Sequence, residues 1–236
     1  MKHLLAGLVM ICIVASGCDR DETVSGGEAP ATVERVITAP PATAPAASGP
    51  RIVFLGDSIT AGLGLEADEA FPAVLDEMLA DEGLPVQIVN AGQSGDTTAG
   101  GLRRLDWQLR QSPDIVVVGL GANDGLRGTP LESSEQNLRD IIRKARDAGA
   151  DVLLLGMLIP PNYGPEYTTQ FRELYQRIAK EMNVPMVPFV LEGVGGEPSL
   201  NQSDGIHPTA EGQRIVASNI LPHLKPLVQQ RLPDQK

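Results

Sequence analysis

From Arg51 onward the chain repeats one alternation: a short apolar run, then a helix-length amphipathic stretch. The apolar runs are Ile52-Val53-Phe54-Leu55, Val86-Gln87-Ile88-Val89, Ile115-Val116-Val117-Val118, Val152-Leu153-Leu154-Leu155 and Pro185-Met186-Val187-Pro188-Phe189. The third and fourth are continuously β-branched or Leu-rich, as parallel strands buried on both faces require. Between and after the runs the spacing predicts helices over 69–81, 98–110, 133–148, 168–181 and 210–224, with Gly83 and Gly149 closing two of them. Five strand-then-helix units predict an α/β fold of three α/β/α layers. Its core would be a doubly wound, mostly parallel five-stranded sheet with right-handed crossovers. No internal repeat and no second domain are visible.

In such a sheet, ligands bind beyond the carboxyl ends of the strands. The chemistry-bearing residues stand there. Gly56-Asp57-Ser58-Ile59-Thr60 follows the first run and Asn90-Ala91-Gly92-Gln93-Ser94-Gly95-Asp96-Thr97-Thr98 the second. Gly119-Leu120-Gly121-Ala122-Asn123-Asp124-Gly125 follows the third, and Asp204-Gly205-Ile206-His207-Pro208-Thr209 introduces the last helix.

Singly these motifs are weak; turns and helix caps produce each of them. Together they supply what serine hydrolysis needs. A serine hydroxyl is a poor nucleophile at neutral pH without a base. Of three histidines, His3 lies in the N-terminal leader and His223 in an apolar helix, where a packing or surface role suffices. His207 remains as the base, with Asp204 as the carboxylate that fixes its tautomer. Backbone N–H groups and the Asn123 amide are candidate donors to a tetrahedral oxyanion. Pro208 suits the first position of the final helix.

The residues before Arg51 read differently. Lys2, the apolar stretch 4–14 and Ala15-Ser16-Gly17 form an export signal, too short to span a membrane. Residues 14–18 are similar to a bacterial lipobox, although Ala15 stands where Leu is usual. Residues 1–17 are therefore expected to be a signal peptide of lipoprotein type, and Cys18 to be acylated and held at a membrane surface. The alternative is cleavage to a soluble exported protein. Residues 18–50 are rich in Ala, Pro and Thr and predict a solvated linker. The catalytic domain is expected over 51–231, with a short tail at 232–236. Cys12 and Cys18 are the only cysteines, so the domain has no disulfide, Cys nucleophile or thiolate metal site. A net charge of −11 and only 3% aromatic residues argue against nucleic acid as a partner.

The five stretches 56–65, 90–102, 121–128, 160–167 and 204–208 resemble the SGNH, or GDSL, hydrolases, most of all the thioesterase I/lysophospholipase/arylesterase branch. The resemblance covers nearly all of 51–226. It implies the flavodoxin-like SGNH hydrolase fold, with Ser58 as nucleophile, His207 as base and Asp204 as its partner. It also implies that Ser58 N–H, Gly95 N–H and the Asn123 side chain form the oxyanion hole. Ile59, Thr60 and Ala122 depart from the commonest residues of the family, which touches pocket shape more than chemistry. Thr60 also rules out the Gly-x-Ser-x-Gly elbow of the α/β-hydrolases.

The implied activity is hydrolysis of short-to-medium acyl or aryl esters, thioesters or lysophospholipids through an acyl-enzyme. No metal, cofactor or obligate protein partner is expected. Leu126 and Arg127, and Asn162 and Tyr163, are candidate substrate-loop residues. Gly125-Leu126-Arg127-Gly128 is either a mobile lip or a rigid turn. Two rivals share the fold: an envelope polysaccharide O-acetyl esterase, and an inactive binding protein.

Overall fold

The structure, a computed structural model, describes residues 49–232. The expected signal peptide, Cys18, nearly all of the linker and the tail beyond Leu232 lie outside the described residues. Five strands, β1 (Arg51–Gly56), β2 (Gln87–Gly92), β3 (Ile115–Gly119), β4 (Asp151–Leu155) and β5 (Met186–Val187), form one sheet in the order β2-β1-β3-β4-β5. Every pair is parallel, so the expected mostly parallel sheet is wholly so.

Among the described residues seven α-helices accompany them: α1 (Ser58–Ala61), α2 (Phe71–Asp81), α3 (Thr98–Leu109), α4 (Ala122–Leu126), α5 (Leu131–Asp147), α6 (Pro165–Met182) and α7 (Ala210–Arg231). α2 packs on α7, while α3 packs on α5 and α5 on α6, the helix layers of a doubly wound fold.

The layers follow from the patterns. All five residues of β3 are buried, as are Val152, Leu153, Leu154 and Leu155 of β4. Each such apolar side chain contributes roughly 1.5–3 kcal/mol by leaving water. In α5 the buried residues Leu131, Ser134, Leu138, Ile141, Ile142 and Ala145 recur at three- and four-residue spacing, one face turned to the sheet. Phe54 meets Phe71 edge-on at 5.6 Å, joining β1 to α2.

Several boundaries differ from the sequence reading. β5 keeps only two residues of its predicted run, because Pro185 and Pro188 cannot donate to the ladder. β2 runs on through Asn90-Ala91-Gly92, beyond the predicted apolar run that ends at Val89; Ala91 pairs with Leu55 and Gly92 with Gly56. α7 continues past Leu224 to Arg231, with Pro222 and Pro226 inside it on solvent-exposed positions. Pro208 does not open α7. Thr209 is the N-cap, its hydroxyl accepting from Gly212 N at 3.3 Å.

Strand order reverses between β1 and β3, since β2 lies on one side of β1 and the later strands on the other. The crevice at that reversal is where doubly wound sheets bind ligands. Ser58 follows β1 and Asn123 follows β3.

Candidate active site

The C-terminal edge of the sheet is bare. Gly92, Gly56 and Gly119 lie side by side in register across β2, β1 and β3. α1 rests directly on this row: a Cβ on Gly56 would stand 1.9 Å from Thr60 Oγ1, and one on Gly92 2.3 Å from Ala61 N. Asp57 caps α1, its carboxylate accepting from Ile59 N at 3.0 Å. Ser58 is therefore the first residue of the turn, its N–H without an intrahelical acceptor and its side chain at the open end.

The loop 201–208 reaches Ser58 from the far end of the chain. It is closed on itself by Gln202 N donating to His207 O at 2.7 Å and by the bridge between Asn201 and Pro208. His207 Nε2 lies 2.8 Å from Ser58 Oγ, and His207 Nδ1 lies 2.7 Å from Asp204 Oδ2. The other Asp204 oxygen accepts from Ile206 N at 2.8 Å and His207 N at 3.0 Å. The His207 N–H, its ring and the Ile206 N–H hold the Asp204 carboxyl well below the usual carboxylate range. An ionised carboxylate only accepts, so Nδ1 carries the proton and Nε2 faces the Ser58 hydroxyl as acceptor. That arrangement can take a proton from Ser58 and return it to a leaving group.

The predicted oxyanion donors Gly95 and Asn123 stand in the loop after β2 and in α4. Asn123, in α4, donates through Nδ2 to Asp96 O at 2.9 Å and approaches Asp57 Oδ2 at 3.5 Å. Its amide thus sits between the residue before Ser58 and the residue after Gly95. Gly95 has φ +78°, a left-handed conformation costly for side chains. Its N–H has no acceptor among the described residues.

The substrate-loop candidates are tied together. Tyr163 Oη donates to Leu126 O at 2.9 Å, and Arg127 Nη2 donates to Gly95 O at 3.0 Å. Asn162 is exposed in the same 3-10 turn as Tyr163. Gly125 to Gly128 closes α4 as a turn, with Gly128 N donating to Gly125 O.

Several residues without an assigned role in the sequence reading matter here. Asp124 is buried and accepts from Thr98 N (2.9 Å), Thr98 Oγ1 (2.6 Å) and Ser134 Oγ (3.1 Å), joining the starts of α3 and α5 to α4. Gln213, buried in α7, donates to Ile59 O and accepts from Phe71 N, each at 3.0 Å. Asp57 is 1% exposed, and burial pushes its carboxyl up to about 6 although the Ile59 N–H and His207 pull it down.

Because the folded value lies above the ordinary 3.8, the folded state favours the protonated carboxyl. The stabilisation is complete below about pH 4 and is lost as pH rises toward 6, a change of roughly 3 kcal/mol. Asn at position 57 can still cap α1 but cannot ionise. Asp57→Asn is therefore expected to gain stability relative to the wild type between pH 4 and 7 in urea unfolding. Parallel profiles for the two proteins would remove this account of Asp57.

With this geometry in place, the GDSL-like lipase/acylhydrolase family profile matches residues 54–215. The chain is 47% identical over 183 residues to the esterase TesA of Pseudomonas aeruginosa, covering 77% of this chain and 91% of that protein. It is 41% identical over 184 residues to the thioesterase 1/protease 1/lysophospholipase L1 of Escherichia coli, covering 78% and 87%. Among solved structures, the psychrotrophic esterase EstA of Pseudoalteromonas, inhibited by monoethylphosphonate, superposes with a TM-score of 0.72. That match has 34% identity and covers 76% of this chain and 98% of that one.

Proposed function

This chain belongs to the GDSL-like lipase/acylhydrolase family, and from that premise we propose that Ser58, His207 and Asp204 are the catalytic triad of its ester hydrolysis. The chain is an esterase, as its relatives are. The observation that carries the residue assignment is the unbroken relay from Ser58 Oγ to His207 to Asp204 at the point where strand order reverses. His207 takes the Ser58 proton as Oγ attacks the ester carbonyl. Ser58 N–H, Gly95 N–H and the Asn123 amide receive the oxyanion. His207 then protonates the leaving alcohol and, in the second half-reaction, activates water against the acyl-enzyme.

The substrates are short-to-medium acyl or aryl esters, with thioesters and lysophospholipids as further members. The distribution of exposed apolar side chains supports this over a polar glycan. Among the described residues the large exposed ones are Leu63, Trp107, Leu158, Tyr163 and Ile206. All but Trp107 sit on loops beyond the carboxyl ends of the strands. Leu63 follows α1, Ile206 adjoins His207, and Leu158 and Tyr163 follow β4. Trp107 lies away from them on α3, where the Arg110 guanidinium covers its ring at 4.6 Å. A series of nitrophenyl esters from acetyl to decanoyl, beside acetylated glycan, tests the reading. Activity rising beyond the acetyl ester is expected; activity confined to acetyl groups would favour the O-acetyl esterase.

The protein is proposed to act outside the cytoplasmic membrane, tethered through acylated Cys18 and the following Ala/Pro/Thr-rich linker. Export removes it from cytoplasmic acyl-CoA and points to esters of the envelope or surroundings. Labelled palmitate should enter the full-length protein and be lost in Cys18→Ser. Labelling of neither would leave a soluble exported enzyme, and equal labelling of both would place the acyl group elsewhere than Cys18.

A further inference from the structure

One guanidinium in α3 meets three acceptors around the site, on the residue before Asp57-Ser58, at the end of β2 and on the residue after Gly95. Arg104 Nε donates to Asp96 Oδ2 at 2.6 Å, Nη1 to Ala91 O at 2.6 Å, and Nη2 to Gly56 O at 2.9 Å. Gly56 is the residue before Asp57-Ser58. Ala91 lies at the end of β2, and Asp96 directly follows the Gly95 donor. Side-chain exposure is 20% for Arg104 and 7% for Asp96, so the ion pair is largely shielded from water.

The surroundings are shaped for this contact. The Asp96 carboxylate occupies the place a side chain on Gly100 would take, since a Cβ there would stand 1.6 Å from Asp96 Oδ1. Gly56 O also accepts from Gln93 N at 3.0 Å, and Asp96 N donates to Gln93 O at 3.0 Å. Asp96 O receives the Asn123 amide at 2.9 Å. Asp96 thus faces Arg104 with its side chain and Asn123 with its backbone.

We propose that Arg104 is a positioning residue of the oxyanion hole: through Asp96 and the Gly56 carbonyl it fixes the Gly95 loop and the Asn123 amide against the Ser58 turn. This rests on the triad reading above. A planar fork with several fixed donors suits the task, and a lysine ammonium cannot span the same three acceptors in that geometry. Oxyanion donors act when charge develops on the carbonyl oxygen, so their misplacement lowers kcat and leaves KM nearly unchanged. Displacement by about 1 Å can cost on the order of 10²-fold.

Arg104→Gln should therefore lower kcat about 10- to 100-fold on a nitrophenyl ester, per folded enzyme, with KM within about threefold. Arg104→Lys should recover part of that loss, because it keeps the charge facing Asp96. Asp96→Asn retains the carbonyl that holds Asn123 and loosens only the Arg104 end, and should lose about tenfold in the same parameter. If Arg104→Gln does not fold, Asp96→Asn and Arg104→Lys carry the test. A merely structural role would lower the melting temperature and leave kcat per folded enzyme within twofold of wild type, which overturns the proposal. A loss confined to KM also overturns it. Ser58→Ala is assayed alongside: activity surviving in it overturns the triad reading and this proposal together. Inert Ser58→Ala beside unchanged Arg104 and Asp96 variants overturns this proposal alone.

Discussion

Replacing Ser58 by alanine is expected to abolish ester hydrolysis, lowering kcat by at least about 10⁴-fold and toward 10⁶ where the assay background allows. The reasoning is local. Ser58 Oγ is the atom that meets His207 Nε2 at 2.8 Å, and no second hydroxyl shares that contact. What survives its loss is oxyanion stabilisation and binding, which need a nucleophile to act on. The fold should persist, because Ser58 opens a four-residue turn whose hold comes from the Asp57 cap and from Gln213 on Ile59 O. Removing the hydroxyl leaves His207 Nε2 facing the crevice. Melting temperature within a few degrees of wild type, beside hydrolysis at background, is the expected pair of results. A folded Ser58→Ala protein with wild-type turnover would contradict it.

Asp204→Asn should cost nearly as much, on the order of 10⁴-fold in kcat, by a different route. An asparagine can still accept from the Ile206 and His207 N–H groups, so the loop 201–208 keeps its turn. Its amide nitrogen, however, would donate toward His207 Nδ1. The imidazole must then carry its proton on Nε2, where it can no longer accept from Ser58. The imidazolium formed during attack also loses its ionised partner. Steady-state rates with the same nitrophenyl ester would measure this. A loss smaller than tenfold would mean that Asp204 does not set the tautomer.

The fold was most legible where burial alone decides. Ile115-Val116-Val117-Val118 and Val152-Leu153-Leu154-Leu155 could be little other than central parallel strands, and they became β3 and β4. Legibility fell at the edges. β5 was shortened by prolines that an apolar count does not weigh, and Asn90-Ala91-Gly92 looked like a loop because small and polar residues are poor strand formers. They extend the ladder opposite Phe54, Leu55 and Gly56, and Gly92 leaves bare backbone beneath α1. α7 outlasted its prediction because Pro222 and Pro226 fall on its exposed side.

The candidate site divides in the same way. Ser58 and Asn123 were findable because each is the kind of residue that reacts or donates, placed where a strand ends, and Asp204 and His207 because they set a carboxylate beside an imidazole just before the last helix. Arg104 and Asp96 were not, since an arginine on an amphipathic helix looks like any solvated charge. One signal was present. Gly100-Gly101 in the first turn of α3 weakens the helix, and only close approaches, by the Asp96 carboxylate at Gly100 and by the Leu120 side chain at Gly101, give it a reason. Asp57 stands in the sequence as a polar residue of the turn Gly56-Asp57-Ser58-Ile59-Thr60, and its burial is a tertiary fact.

Intact-mass analysis followed by peptide mapping after treatment with a fluorophosphonate tests the central claim most directly. One adduct per chain is expected, on the peptide that carries Ser58, and it should be absent from Ser58→Ala and greatly slowed in His207→Ala. Modification at another serine, or no modification of folded wild-type protein that hydrolyses esters, would contradict the assignment of Ser58 as the nucleophile.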